Sequence, residues 1–523
     1  MLNILKLTVA VAVSAASAVT SQGAAPEATG PQAESALPTP LRTENNDFSV
    51  TVNGEILEVY RARVTARPFT RKPPKGTKFP WNRLEWTELA SFCSFDMEDD
   101  VDVRVASSRE ITDPSIRPLS DGIEYDTADN AFTFSLSRPG QYVIQPCGMT
   151  RPLFLFADPP ETTVPAPDDP DVIFFGPGEH HQPSIRLTSG QTLYLAAGAV
   201  VHGTVIAENA RDIAIRGRGI LDGSTFNRHL THWDKIDGNR FMMFLYNCEN
   251  VTIEGITIRD SFLWTLVPML CRDLTIDNLK IIGNWRKNTD GIDLLNCENV
   301  LIRNSFVRCF DDAITYKGYR DRFGNKTAEE PVRNVTVRNC VIWNDWARAV
   351  MVGIAGWTDG FTNLAFEDID ILHFTTKALN LWAGHKGAIR NVTFSDIRIE
   401  DRWPVWRRGR GMQGKVESNG GKVLALDIRR YRGLLKKLGD DYPVGSIENV
   451  VFRNITIHAP SRLPYTPSYI RGMNEEHIVR NVLFDDVSFT GTPLTQENFS
   501  DHVDSNEFVE NLLVAPKHRE KQK

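Results

Sequence analysis

Cysteine is scarce in this chain: there are seven in 523 residues and none forms a CxxC pair. That removes the usual sequence support for CxxC-type structural zinc and for thioredoxin-like redox chemistry. Seven is also too few for a disulfide scaffold, and an odd number leaves at least one thiol free. Surplus positive charge is missing too, with 59 basic against 66 acidic side chains and a net charge of −7, so nucleic acid is not an expected partner. No run reaches the roughly 18–20 apolar residues that a membrane span needs. The apolar stretch from Leu7 to Val13 is cut short by Ser14, Ser17, Thr20 and Ser21. Standing behind Lys6 and ahead of Ala16, Ser17 and Ala18, it reads as a secretory signal peptide of residues 1–18. The expected destination is secreted or periplasmic, with no membrane association after signal removal.

What is present is a globular composition, 41% apolar and 24% charged, enough to bury a large core. Residues 19–46, rich in Ala, Pro, Thr and Glu, lack periodicity and read as a flexible linker. Over 47–158 short alternating runs such as Phe48 to Val52 and Phe132 to Leu136 are punctuated by Asn53-Gly54 and Pro139-Gly140, the pattern of a small antiparallel β-sandwich-like domain. Five prolines in 159–171 mark a boundary.

Beyond it a phrase recurs, opening on Asn and continuing in β-branched residues, at 250–258, 299–307, 334–342, 391–399, 449–457 and 481–489. Weaker copies open at Asp212, Asp273 and Asn363. Strands this short, without a turn signal at every junction, pair by stacking on their counterparts one coil later, which predicts a parallel β-helix over 172–490 and a tail over 491–523. The repeated Asn is expected at a corner, its amide bonding to the coils on either side. Some copies match glycosylation sequons, but the Asn returns whether or not Thr follows, which favours the corner reading. Cys248, Cys271 and Cys297 each precede a phrase by two residues, so they are expected to form a column of buried thiols. Cys93 and Cys147 are a possible pair in an exported protein.

Between phrases stand Asn288, Thr289, Asp290 and Gly291, and after the next phrase Asp311 and Asp312. Asp290 and Asp311 are 21 residues apart, about one coil, which predicts one above the other. Crowded carboxylates hold one proton while others ionise, the division that a general acid and a general base require. Asp is also an ordinary turn residue, and neighbours on a strand point to opposite faces. Asp311 and Asp312 can therefore share a groove only where the backbone is irregular.

These residues, running from Asn288 to Asp293 and on through Asp311, Asp312, Ile314 and Lys317, resemble the polygalacturonases and related enzymes of glycoside hydrolase family 28. So does the stretch Ser261 to Thr265, where the family has Ser-Pro-Phe-Trp-Thr. The resemblance runs from about Val172 to Phe489 and implies an all-β fold, a right-handed parallel β-helix. It implies Asp311 as general acid, Asp290 and Asp312 holding the attacking water, inversion at the anomeric carbon, and Asn288 and Lys317 lining the groove; for Lys317 a simple ion pair with a neighbouring Asp is the rival reading.

The chain departs from the family at two places. Arg348 stands where the family has the His of Gly-His-Gly, leaving His373 and His385 as other candidates for a helper. Asn380, Leu381 and Trp382 stand where the family has Arg-Ile-Lys for a uronate carboxylate. One explanation is a neutral glycan, as in the related β-helical dextranases, whose sandwich-plus-helix arrangement this chain also resembles. The other is that a different segment reads an anion. Residues 401–437 hold eleven basic against three acidic side chains. Arg407, Arg408 and Arg410 there, interleaved with Trp403 and Trp406, suit an anionic polysaccharide; a merely solvated loop is the plain alternative.

The expectation is thus a secreted, monomeric inverting hydrolase of a polysaccharide, polygalacturonase-like, acting on an anionic glycan, with a dextranase-like hydrolase of a neutral glycan as the alternative, and with no cofactor and no metal. The substrate-binding candidates are Asn288, Lys317, Arg348, Trp382, Trp403, Trp406, Arg407, Arg408 and Arg410. A carbohydrate-binding β-helix without catalysis and a polysaccharide lyase are the rivals, since fold alone does not separate them.

Overall fold

The computed structural model describes residues 47–65, 87–226, 241–318, 330–400, 421–431, 441–458 and 467–515. The expected signal peptide and the expected linker behind it lie outside them, as do Trp403, Trp406, Arg407, Arg408 and Arg410.

The N-terminal part is two five-stranded sheets. Val50, Val103, Val105, Phe132 and Phe134 of one face Cys93, Tyr142, Ile144, Leu153 and Leu155 of the other across a shared core. Alternation builds this: in Ala131–Leu136 every second residue from Phe132 is buried, as period 2 requires. At Asn53-Gly54 both residues have positive φ, 49° and 85°, which closes the Phe48–Val52 hairpin in the twist its strands need. One pairing differs from the antiparallel expectation, since Leu153–Asp158 runs parallel to Thr87–Asp96.

From Val172 onward the strands join one 28-stranded sheet, each pairing with its counterpart a coil later. This is the parallel β-helix expected from the repeats, right-handed as the family resemblance implies. The phrase-opening Asn sits at a corner, but its first task is conformational. Asn250, Asn299, Asn334, Asn391, Asn449 and Asn481 have φ between 53° and 58°, a region Asn tolerates far better than β-branched residues do. Their amides then form a ladder, with Asn334 bonded to Asn299 at 3.0 Å, Asn363 to Asn334 at 3.1 Å and Asn391 to Asn363 at 3.1 Å. The ladder runs along the exposed surface, not inside the apolar stack. A second Asn or Asp five residues later, at Asn304, Asn339, Asp396 and Asn454, turns the next corner in the same way.

Cys248, Cys271 and Cys297 are all buried and stacked, Cys248 N–H donating to Cys271 Sγ at 3.4 Å. Cys93 and Cys147 are free thiols, so the possible bridge is not formed. The stacking also continues past residue 490: Val509–Ala515 lies parallel on Val479–Phe489, making a last coil of part of what reads as a tail.

The sandwich packs on one face of the helix through Phe154 and Phe156, whose rings meet Phe306 at 5.0 and 5.3 Å. Beside them the buried Lys280 ammonium lies 2.7 Å from Asp158. His373 belongs to this face, its ring 5.7 Å from Trp343.

Candidate active site

The carboxylates stand at the junctions that precede Ile292–Leu295 and Ile314–Gly318. Parallel pairing sets Ile292 against Ile314 and Asp293 against Thr315. That register is 22, not the 21 that would stack Asp290 on Asp311. Asp290 therefore sits over Asp312, and Asp311 is tied to Thr289 through its N–H at 3.2 Å. Residues 311–313 belong to no strand. This is the irregularity that lets two consecutive carboxylates reach one groove.

One carboxylate oxygen from each of Asp290, Asp311 and Asp312 lies within 4.8 Å of the others. Two cations grip the cluster. Lys317 Nζ is 2.9 Å from Asp290 and 2.5 Å from Asp293, with the Trp264 ring 4.2 Å away. Arg348 Nη1 reaches both oxygens of Asp312, at 3.1 and 3.2 Å. Asp311 makes no ion pair among the described residues. It is less buried than Asp290 and Asp312 and accepts the Asn288 N–H at 3.2 Å.

Lys317 thus pairs with Asp290 and Asp293, the ion pair that was its rival reading. Asn288 is a corner residue with φ 61°, and the donor it gives the site is its backbone N–H. Asp293 carries no role in the sequence reading, yet it shares Lys317. The signal available was its place two residues beyond Gly291.

Four carboxyls share two cations here, and burial acts on them all the more for it. Burial raises the pKa of Asp290 well above the usual carboxylate range, and Asp293, Asp311 and Asp312 add to this against the pull of Lys317. Burial also raises Asp293, to about 6. Asp311 is raised by burial and by Asp312, and lowered in part by Arg348 and Lys317. The trio could also attract a metal ion, but Lys317 and Arg348 already supply the positive charge such an ion would bring.

The column continues in cations. Arg348 pairs in register with Lys377, and Lys377 with Lys422. Lys377 Nζ lies 5.7 Å from the Trp382 ring and 5.4 Å from Tyr469. Trp382 is largely buried; its indole N–H donates to Arg429 O at 2.8 Å and the Arg429 guanidinium covers its ring at 4.2 Å. Lys422–Ile428 is a coil strand, so the basic stretch 401–437 is not one loop. His385 packs between Trp357 and Tyr442, with ring centroids at 4.3 and 5.3 Å. Neither His385 nor His373 stands in the carboxylate column.

The geometry is that of a right-handed β-helix with a carboxylate cluster at one edge of its coils, and known proteins resemble it in sequence and in fold. Residues 194–402 match the family model described as Glycosyl hydrolases family 28, a span that holds all three acids. The chain is 29% identical over 211 residues to "Probable exopolygalacturonase B" of Aspergillus fumigatus, covering 36% of this chain and 44% of that protein. It is 28% identical over 215 residues to "Exopolygalacturonase B" of Aspergillus niger, covering 36% and 45%. The chain thus spans less than half the length of the curated relatives it matches. Among solved structures, Dex49A from Penicillium minioluteum superposes with a TM-score of 0.67 at 14% identity, over 91% of this chain and 96% of that one. The resemblance is to family 28, with the architecture of Dex49A. No helix among the described residues is long and apolar enough to cross a membrane.

Proposed function

We propose that this chain is a glycoside hydrolase of the family 28 kind, cleaving O-glycosidic bonds in a polysaccharide with Asp311 as general acid. The observation that carries the reading is the asymmetry of the ion pairing: Lys317 pairs with Asp290 and Arg348 with Asp312, while Asp311 has no cation of its own among the described residues. A carboxyl in that condition keeps a proton to give to a leaving oxygen. Asp290 and Asp312 then hold the attacking water and take its proton, and the product carries the inverted anomeric configuration. The close spacing would also suit retention, where carboxyls stand about 5–5.5 Å apart. Inversion is the outcome that the family resemblance implies, with Asp290 and Asp312, each held by a cation, as the pair that would hold the water.

An anionic glycan is favoured over a neutral one. Arg348, Lys377 and Lys422 stack in register beside the acids, a like-charge arrangement that an anionic substituent would relieve, and the basic residues from Arg407 to Arg410 add to it in sequence. The neutral, dextranase-like reading draws on Asn380, Leu381 and Trp382 standing in place of Arg-Ile-Lys; the likeness to Dex49A bears on fold alone. Export through residues 1–18 and a monomeric state belong to the same proposal.

The test is a reducing-sugar assay on the full chain against polygalacturonate, a sulfated galactan and dextran. New reducing ends on an anionic polymer are expected. Cleavage of dextran alone would transfer the reading to the neutral class, an unsaturated uronate chromophore would mean a lyase, and binding without turnover would leave a carbohydrate-binding β-helix.

A further inference from the structure

The first two coils of the β-helix gather another chemistry, away from the acids. Glu179 and His181 are two apart on Gly178–Leu187, so they share a face of the strand. His180 between them turns away and its Nε2 lies 2.7 Å from Gly176 O. The parallel register seats His181 on His202 of Ala199–Glu208, their rings stacked at 4.7 Å and 13°. One donor atom from each of Glu179, His181 and His202 lies within 4.8 Å of the others.

His202 is only 4% exposed, and its Nε2 has no hydrogen-bond partner among the described residues. Leaving such a group unsatisfied is costly, and a bound ion is one of the ways it is completed. On its other side Nδ1 faces Asp222 Oδ1 at 3.6 Å. Asp222 is itself fixed by Arg259, whose Nε donates to Oδ2 at 2.7 Å, and whose Nη1 donates to Arg61 O in the sandwich at 3.1 Å. A carboxylate behind one ring nitrogen, leaving the other free to coordinate, is the usual support of a metal-binding His.

We propose that Glu179, His181 and His202 form a zinc site joining the first two coils, with Asp222 orienting His202. Two imidazoles and one carboxylate suit Zn²⁺, with a fourth position for water, whereas Ca²⁺ and Mg²⁺ want oxygen alone. Bonds of about 2.0–2.1 Å require the donors to draw closer than they now stand. Two rings stacked parallel do not aim their in-plane lone pairs at one ion, so the exposed His181 must turn out of the stack and the exposed Glu179 swing toward it. The sequence reading, which expected no metal, had only the pair Glu179 and His181 to go on; the third ligand is brought in by register.

The site would fasten a terminal coil. Gly178–Leu187 is largely exposed while Ala199–Glu208 is buried along nearly all its length, so a metal across them would hold the end of the stack to its interior. This inference does not depend on the proposed hydrolase activity.

Titration of the full-length chain with Zn²⁺ alone, followed by competition with a chromogenic chelator, tests it. One tight equivalent is expected, with affinity lowered about tenfold or more in Glu179→Gln and in His181→Gln and abolished in the double variant, and unchanged in Asp311→Asn. Zinc should raise the thermal midpoint of the wild type and not of the double variant. His202→Asn should also lose the site; should that buried variant fail to fold, the two exposed positions still decide. Absence of zinc binding to the wild type, unchanged binding in the double variant, or loss of binding in Asp311→Asn would each overturn the proposal.

Discussion

Gly291 faces the carbonyl of Ala313 one coil away so closely that a β-carbon at position 291 would overlap it, and Val307 closes the same space from the side. The contact keeps Gly291 N–H on Asp312 O at 2.9 Å, and so keeps Asp290 over Asp312. Gly291→Ala should push the two coils apart, costing about 1–3 kcal/mol and most of the activity. Chemical denaturation and turnover measured on the same preparation check this; a variant with normal turnover would detach the acids from that register.

Asp311→Asn removes the proposed proton donor without adding bulk. Turnover is expected to fall by about 10²–10⁴-fold, with the thermal midpoint and polysaccharide affinity little changed. Near-normal turnover would sink the assignment of Asp311.

Arg348 is a guanidinium, charged at every accessible pH, so it can hold Asp312 but cannot relay a proton. Because its charge also lowers the Asp311 pKa, Arg348→Ala should raise that pKa further, moving the basic limb of the pH profile upward while kcat falls. Arg348→His should be tolerated. If Arg348→Ala shifts neither the limb nor kcat, Arg348 takes no part in the reaction.

The raised Asp293 pKa has a consequence for stability. Its folded value of about 6 lies above an unfolded value near 3.9, so its contribution is complete below about pH 4 and is lost as pH rises through about 6. At about 1.36 kcal/mol per unit the loss is up to about 3 kcal/mol. Urea unfolding at intervals from pH 4 to 7 should give a falling stability, and Asp293→Asn a shallower one. Equal slopes would mean Lys317 leaves Asp293 a carboxylate throughout.

Lys377 is lowered to about 7 by burial and then by Arg348 and Arg429, against the opposing pull of Asp427 and Asp312. Affinity for an anionic polymer should therefore weaken as pH rises past 7, because the neutral amine no longer attracts it. Lys377→Met should raise KM for that polymer several-fold and remove this pH dependence. A flat KM in the wild type would remove Lys377 from the substrate's path.

The β-helix was legible because its signal is redundant: the phrase, opening on Asn or Asp, returns on coil after coil, and irregular spacings do not hide it. The acids were legible as a set, since Asp290, Asp311 and Asp312 are close in coil count. Their exact stacking was not, because it depends on how the junction at 311–313 is routed, and one residue decides which carboxylate faces which. Lys377 was invisible for the opposite reason. Its tie to the acids runs through Arg348 across separations of 36 and then 29 residues, and nothing in either number marks it. The first Asn of each phrase also concealed its main reason, the positive φ, behind the hydrogen bond that a polar residue more readily suggests.

The Asn ladder makes the whole coil the fold's unit of change. Each rung bonds to the rungs beside it, so loss of the coil that carries Asn391 would let Asn449 dock on Asn363 with the same geometry. Everything beyond would move by one strand spacing, about 4.8 Å, while the acids stayed where they are. Lengthening or shortening the stack past Arg348 would thus change how far along a polymer the chain reaches, in fixed steps and without touching the chemistry.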